Sequence, residues 1–146
     1  MENIMTLEKV NELRSQGFNC SQIVFLYGSE RLGLEPEKAL KIAGAFGGGM
    51  YNGETCGCVT GALMVLGLKY GQSVPYDLAA KNLLIQKKTE FEEKFKEAHE
   101  TLICKEILGY DISNPSEKSI IVEKGLLDEI CPYLIWDACQ ILDEML

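Results

Sequence analysis

The chain of 146 residues contains six cysteines, and these are the side chains best suited to catalysis or metal binding. Four of them, Cys20, Cys56, Cys104 and Cys131, fall within about one turn of a predicted helix start. The first N–H groups of a helix are unpaired and carry partial positive charge, so they stabilise an anion. A thiol there ionises at lower pH, and the thiolate is the form that attacks disulfides or binds a metal. The pattern therefore predicts thiol redox chemistry or a metal site.

The sequence around the second of these cysteines favours the same kind of site. Three consecutive glycines open a segment ending at Thr55 that is nearly free of branched side chains, which predicts a loop leading to Cys56 and a buried helix. We expect backbone N–H groups at Gly48, Gly49 and Gly57 to contact a sulfur or a cluster. The loop has no G-K-[ST] ending and no preceding strand, so a nucleotide phosphate loop is not indicated.

The two remaining cysteines and the single histidine do not share this pattern. Successive helical positions rotate by about 100°, so Cys56 and Cys58 could face one ligand only if the helix starts after Cys58. We keep Cys58 as a candidate metal ligand. Cys139 lies about 12 Å along the helix axis from Cys131, too far for one bond or one metal, and is expected in the core. His99 is expected to be a helix-terminus residue.

Apolar positions recur at helical spacing along the chain, and no stretch alternates cleanly enough to predict a strand, with residues 119–122 the one weak candidate. We predict an all-α fold, a single-domain helical bundle of about six to seven helices over residues 1–146. The stronger predicted helices cover residues 6–16, 21–32, 37–46, 56–70, 75–98, 101–108 and 131–145, and a weaker one covers 117–123.

The composition argues against several classes of protein. The net charge is −8, and because phosphate binding needs clustered Lys and Arg, a nucleic-acid partner is not expected. No apolar run reaches the roughly 18 residues that a membrane span needs, and no basic segment followed by an apolar stretch marks a signal peptide. We therefore expect a cytoplasmic protein with no membrane span. In that compartment cysteines are more often metal ligands or redox thiols than structural disulfides.

The same cysteines carry a resemblance to a known family. Cys20, the segment C-G-C-V-T-G that begins at Cys56, Cys104, and Cys131 with the proline after it resemble the C_GCAxxG_C_C family, described as redox-active. The resemblance covers nearly the whole chain and implies that those four positions are the family's thiols. The third position of the central motif is commonly alanine in the family and is Cys58 here. That departure leaves open whether Cys58 is an extra ligand or a harmless replacement.

Two chemistries fit four converging thiols. They could hold an iron–sulfur cluster that moves single electrons, or two pairs could cycle between dithiol and disulfide. No C-x-x-C occurs, so the thioredoxin type is not indicated. The four cysteines are separated by 36, 48 and 27 residues, so a shared site can form only on folding. The chain would be an oxidoreductase or an electron-transfer protein, and its redox partner, protein or small molecule, is not identified by the sequence.

The alternative from another class is a helical binding or interaction module, in which the cysteines are buried packing residues or hold a structural zinc. A homodimer formed through the apolar end of the last helix, residues 141–146, is also left open. The prediction that separates these hypotheses is geometric. Sulfurs far apart in sequence should meet in space because their helices direct their amino ends at one point.

Overall fold

The structure, a computed structural model, describes residues 4–146. Over that range the backbone forms nine helical segments and no strand, so the predicted all-α class is confirmed. The α-helices are α1 (Leu7–Ser15), α2 (Cys20–Arg31), α3 (Pro36–Ile42), α4 (Gly57–Tyr70), α5 (Leu78–His99), α6 (Cys104–Leu108), α7 (Pro115–Glu123) and α8 (Leu126–Met145). The ninth segment is a short turn, Gly49–Gly53, between α3 and α4.

Side-chain caps fix where several helices begin. Thr6 accepts a hydrogen bond from the N–H of Lys9 at the start of α1. Asn19 and Gln22 form a reciprocal capping box at the start of α2, and Asp77 caps α5. These caps satisfy N–H groups that have no partner within the helix itself. The predicted starts of α1 and α2 are therefore correct to within one residue.

The prediction of six to seven helices was too low because two short segments were underestimated. The turn Gly49–Gly53 was predicted as a loop, and α7 was only a weak prediction. Asn114 accepts hydrogen bonds from two N–H groups of the first turn of α7, and Pro115 takes the first helical position, where its missing N–H is no loss. Residues 119–122, the weak strand candidate, lie inside α7.

The last helix begins earlier than predicted. The prediction placed its cap at Cys131 and Pro132 at its first position, but α8 starts at Leu126, after Gly125 with φ of 65°. Pro132 is thus the seventh residue of a continuous helix and is buried. A proline inside a helix removes one backbone hydrogen bond, at a cost of roughly 3 kcal/mol. The buried apolar face that continues beyond it offsets that loss.

The fourth helix is the centre of the core, as its apolar composition predicts. Five of its side chains have 0% exposure: Cys58, Val59, Ala62, Val65 and Leu66. The helix packs against α2, α5 and α8. Phe91 and Phe95 of α5 are fully buried against this core. A helix enclosed in this way can be apolar on every face, and it provides a rigid support for the residues at its amino end.

Two glycines allow α2 and α4 to approach closely. A Cβ atom at Gly28 would lie 2.6 Å from Cγ atoms of Val65, and one at Gly61 would lie 2.9 Å from the carbonyl oxygen of Ser21. Ser21 of α2 meets Gly61 of α4, and Gly28, further along α2, meets Val65, further along α4. The two helices therefore run in the same direction, with their amino ends side by side. The unpaired N–H groups of both helices therefore favour negative charge in the same region.

Two further features of the helices bear on partners. Ile141, Leu142 and Met145 are buried in the core of the chain itself, with exposures of 9%, 0% and 5%. The end of α8 therefore offers no free apolar face, and the homodimer stays a prediction without that support. Across residues 4–146, none of the helices combines the length and the apolar character that crossing a membrane requires.

Candidate functional site

Three helix starts meet at one place. Cys20 is the first residue of α2, Cys56 is the residue that caps α4, and Cys104 is the first residue of α6. An isolated antiparallel bridge between Thr55 and Ile103 ties the starts of α4 and α6 together. The backbone N–H groups of Cys56 and Cys104 donate across it, at 2.7 and 2.6 Å, to carbonyl oxygens of the opposite segment. The chain thus joins segments that are 48 residues apart, counted from Cys56 to Cys104.

The four cysteines singled out in the sequence line one cavity of about 250 Å³. Cys20, Cys56 and Cys104 reach it from helix starts. Cys131 reaches it differently, as the sixth residue of α8, because that helix begins before the predicted position. The four cysteines therefore line one cavity, although only three of them reach it from a helix start as predicted. Their chemical roles remain predictions.

Cys58 lies closer to the other thiols than the sequence indicated. It is the second residue of α4, yet its thiol is within hydrogen-bond reach of the thiols of Cys20 and Cys56. The expectation that Cys56 and Cys58 could face one ligand only if the helix started after Cys58 assumed that both residues are helical. Cys56 has φ of −52° and ψ of 137°, so it is not helical and the rotation rule does not apply to it. Cys58 itself is fully buried.

Hydrogen bonds favour the thiolate form of Cys20. The S–H groups of Cys56 and Cys58 donate to its Sγ, and these bonds, the one from Cys56 first, lower the pKa of Cys20 well below its usual value. Burial acts in the opposite direction but is outweighed, since the backbone N–H groups of Gly48 and Ser21 also donate to the sulfur. Each donor stabilises the anion relative to the neutral thiol.

The neighbouring thiols stay protonated. Donation to the Cys20 sulfur raises the pKa of Cys56, and burial raises the pKa of Cys58. Burial also raises the pKa of Cys104 to about 11 and that of Cys131 to about 12. Of the cysteines around the cavity, the surroundings thus favour the thiolate form at Cys20 and the protonated form at the others.

A left-handed turn places a backbone donor against the sulfur of Cys20. The residues from Gly48 to Tyr51 have φ of 61°, 62°, 60° and 58°. For Met50 and Tyr51, which are not glycines, this conformation costs about 1–2 kcal/mol per residue. Such strain persists only where the surroundings impose it, and it concentrates at functional sites. Here it brings the N–H of Gly48 to the Cys20 sulfur.

Of the three glycines expected to contact a sulfur through their N–H groups, only Gly48 does so, while Gly57 lies close to the same sulfur. Gly48 donates to the Cys20 sulfur, and a Cβ atom at Gly57 would lie only 2.5 Å from that sulfur. Gly49 behaves differently, because a Cβ atom there would lie 2.4 Å from the backbone nitrogen of Glu54. Gly49 therefore closes the turn on the backbone of the segment that follows, and its expected contact with a sulfur is not seen.

Asn19 joins the left-handed turn to the start of α2. Its Oδ1 accepts from the N–H of Gln22 at 3.0 Å. Its Nδ2 donates to the carbonyl oxygen of Gly44 at 3.0 Å and to Oη of Tyr51 at 3.2 Å. Sequence reasoning missed this residue, although its position directly before Cys20 was a usable signal for a cap. Tyr51 was missed as well, and no sequence pattern pointed to it.

His99 and Cys139 lie outside the site. His99 is the last residue of α5, as predicted, and its Nε2 lies 2.8 Å from Oδ2 of Asp137 on α8. Cys139 has 0% exposure and does not line the cavity, in agreement with the prediction of a core residue. Burial raises the pKa of its thiol far above the usual value.

The protonation pattern predicts an order of reactivity. Iodoacetamide at neutral pH is expected to alkylate Cys20 well before the other five cysteines. Because its pKa is lowered, the rate at Cys20 should stay level as the pH falls below the pKa of a free cysteine, then drop through the lower pKa of the folded protein. Peptide mass spectrometry of quenched time points measures this, with free cysteine as the reference. An inflection at or above that of free cysteine contradicts the assignment.

Comparison with known proteins gives one match. A family model described as "Putative redox-active protein (C_GCAxxG_C_C)" matches residues 18–145. That range includes all six cysteines, and it confirms the resemblance seen in the sequence. No curated protein matches the chain, and no solved structure does.

Proposed function

We propose that this chain, which belongs to the C_GCAxxG_C_C family of redox-active proteins, is a dithiol–disulfide redox protein in which Cys20 attacks and Cys56 resolves. One observation carries the proposal. The thiol of Cys56 donates a hydrogen bond to the Cys20 sulfur, and this bond is the largest cause of the lowered pKa of Cys20. Two sulfurs within hydrogen-bond reach need little movement to form a bond, and the lower pKa supplies the nucleophile.

The proposed reaction has two exchange steps. The Cys20 thiolate attacks one sulfur of a disulfide substrate, so a mixed disulfide forms and the other half of the substrate leaves as a thiolate. The Cys56 sulfur then attacks the Cys20 sulfur, the Cys20–Cys56 bond forms, and the second half of the substrate leaves. The proton of Cys56 goes to a departing thiolate. The substrate gains two electrons and the dithiol loses two, and a dithiol reductant restores the protein by the reverse steps.

In this scheme Cys58 is a hydrogen-bond donor to the nucleophile. It donates to the Cys20 sulfur, it is fully buried, and it does not line the cavity. The family commonly has alanine at this position, so the extra thiol should lower the pKa of the nucleophile further in this chain than in its relatives. A cytoplasmic location remains a prediction, and a thiol pair that must return to its reduced form fits that compartment.

A second candidate function rests on the meeting of four cysteines at one cavity. Four thiolates are the usual ligands of a [2Fe–2S] or [4Fe–4S] cluster, so Cys20, Cys56, Cys104 and Cys131 have the chemistry to hold one. Such a cluster would supply one-electron transfer. A single zinc ion fits less well, since it needs sulfurs about 2.3 Å from one point. Within residues 4–146, no three or more His, Cys, Asp or Glu side chains are arranged to hold a metal ion.

One preparation tests both candidates. The protein is purified without oxygen, analysed for iron, sulfide and zinc, and then treated with a mild disulfide oxidant. We expect a colourless, metal-free protein in which peptide mass spectrometry finds a Cys20–Cys56 disulfide. Stoichiometric iron and sulfide with broad visible absorption would instead establish the cluster. A first disulfide that excludes Cys20 would contradict the proposed pair.

A further inference from the structure

The approach to the nucleophile is a cavity with mainly apolar walls. Its volume is about 250 Å³, a size that suits a small molecule better than a loop of a folded protein. Apolar side chains from four parts of the chain form much of its lining: Phe18, Ile107, Ile112, Leu127, Leu134 and Ile135. A substrate that carries many charges would lose its hydration in this space without gaining partners.

One cation faces this apolar space. Arg14 is the only Lys or Arg side chain among the described residues that line the cavity. It forms an ion pair with Asp128, at 3.1 Å between Nη1 and Oδ1. The Arg14 side chain is 21% exposed, whereas that of Asp128 is 86% exposed, so Asp128 holds the guanidinium from the solvent side. A guanidinium has five N–H donors, and this pair leaves others available to a ligand in the cavity.

The negative charge of the rest of the molecule makes the Arg14 cation important for binding an anion. The chain has a net charge of −8, and its field opposes the approach of anions. The nucleophile at the cavity is itself an anion. A negatively charged substrate can therefore bind only if a local cation compensates, and a guanidinium pairs with a carboxylate through two parallel hydrogen bonds.

Resting on the proposed function, we propose that the cavity takes a small organic disulfide with an apolar body and one carboxylate on the half that it binds, and that Arg14 pairs with that carboxylate. Binding places the disulfide bond against the Cys20 sulfur. The exchange steps are those given above, in which the substrate disulfide breaks, the Cys20–Cys56 disulfide forms and two electrons pass to the substrate. Arg14 is a binding residue in this scheme and takes no part in proton transfer.

Two coloured probes test the proposal on the reduced, full-length protein. One is 5,5′-dithiobis(2-nitrobenzoate), which has an aromatic body and a carboxylate on each half, and the other is the neutral 4,4′-dithiodipyridine. The rate of each with Cys20 is divided by its rate with free cysteine at the same pH and salt, which removes differences in intrinsic reactivity. The Cys20→Ser protein supplies the background rate. We expect the normalised rate of the carboxylate probe to be about ten times that of the neutral probe.

Three variants assign the effect to the cation. Arg14→Gln should bring the ratio down to about one or below, and Asp128→Asn should raise it severalfold because the competing carboxylate is lost. Lys38→Gln, an exposed position on α3 outside the cavity, changes the net charge equally and should leave the ratio unchanged. Circular dichroism and thermal unfolding confirm that each variant is folded before the rates are compared.

The outcomes separate this proposal from the proposed function. A wild-type ratio at or below one, a ratio that Arg14→Gln leaves unchanged, or faster normalised reduction of a protein disulfide such as insulin would overturn the small-molecule proposal while Cys20 chemistry stood. If Cys20 reacts no faster than free cysteine with any probe, or never forms a disulfide with Cys56, the proposed function itself fails.

Discussion

Serine in place of Cys20 is expected to slow the reaction with any disulfide by more than about 100-fold. The other thiols cannot replace it at neutral pH, because burial raises the pKa of Cys104 to about 11 and that of Cys131 to about 12. A thiol with a pKa near 11 is ionised in about one molecule in 10⁴ at pH 7. The rate of release of a coloured thiol from a disulfide probe measures the loss.

Replacing Cys56 should stop the same cycle at a later step. In Cys56→Ser the Cys20 thiolate still attacks, but no second sulfur resolves the mixed disulfide, so one half of the substrate stays bound to Cys20. Intact-mass spectrometry should show that adduct in stoichiometric amount. The wild-type protein should instead lose two hydrogens and carry no adduct.

A matched pair at the same position separates the two roles of Cys56. The hydroxyl of Cys56→Ser can still donate to the Cys20 sulfur, whereas the methyl group of Cys56→Ala cannot. Since donation stabilises the thiolate, the pKa of Cys20 should rise further in Cys56→Ala than in Cys56→Ser. Alkylation rates at Cys20 across pH compare the two variants.

The control for these variants is a cysteine that the cavity does not include. Cys139→Ala removes one sulfur from the core and should lower stability modestly, but the attack and the resolution should proceed as in the wild type. The assignment is wrong if this variant blocks turnover, or if Cys56→Ser completes the cycle without accumulating an adduct.

The sequence predicted the helix starts best where a cap or a boundary residue acts locally. Cys56 was placed at the start of α4 because a glycine-rich segment ends just before a continuous apolar stretch, and the structure makes it the cap of that helix. The predicted start of the last helix at Cys131 was wrong because Pro132 was taken as its first helical residue. The turn at Gly125 and the burial of the face beyond the proline decide where α8 begins, and both depend on packing.

The interior of the site could not be predicted, for a different reason. Residues such as Met50 and Tyr51 avoid positive φ in isolation, so no local rule predicts that the turn before α4 is left-handed. Arg14 enters the cavity from α1, only six residues before Cys20, but it belongs to no motif that would have identified it. Three-dimensional packing brings these residues together, and only the cysteines had a residue type and spacing that identified them beforehand.

Alanine in place of Gly57 is expected to disable the nucleophile without removing any sulfur. Its Cβ atom would lie 2.5 Å from the Cys20 sulfur, 3.0 Å from the carbonyl oxygen of Phe46 and 3.1 Å from Cα of Gly47. Two of these neighbours are backbone atoms that cannot move easily, so the sulfur must shift away from its donors. Losing those hydrogen bonds raises the pKa of Cys20, and each unit of increase lowers its thiolate population at neutral pH by about tenfold.

Two glycines on the same helix make this result interpretable. Gly67→Ala places its Cβ atom in open space and should stabilise the protein by up to about 1 kcal/mol, as alanine favours helix over glycine. Gly61→Ala meets the carbonyl oxygen of Ser21 at 2.9 Å and should destabilise by about 1–3 kcal/mol, as should Gly57→Ala. Urea unfolding measures these changes, and alkylation across pH measures the pKa of Cys20.

The comparison between the two destabilised variants is decisive. If Gly57→Ala raises the pKa of Cys20 and Gly61→Ala leaves it low at a similar loss of stability, the effect belongs to the contact with the sulfur and not to a weakened fold. If Gly57→Ala folds and keeps a reactive Cys20 with a low pKa, the close approach of α4 to this sulfur does not control its charge.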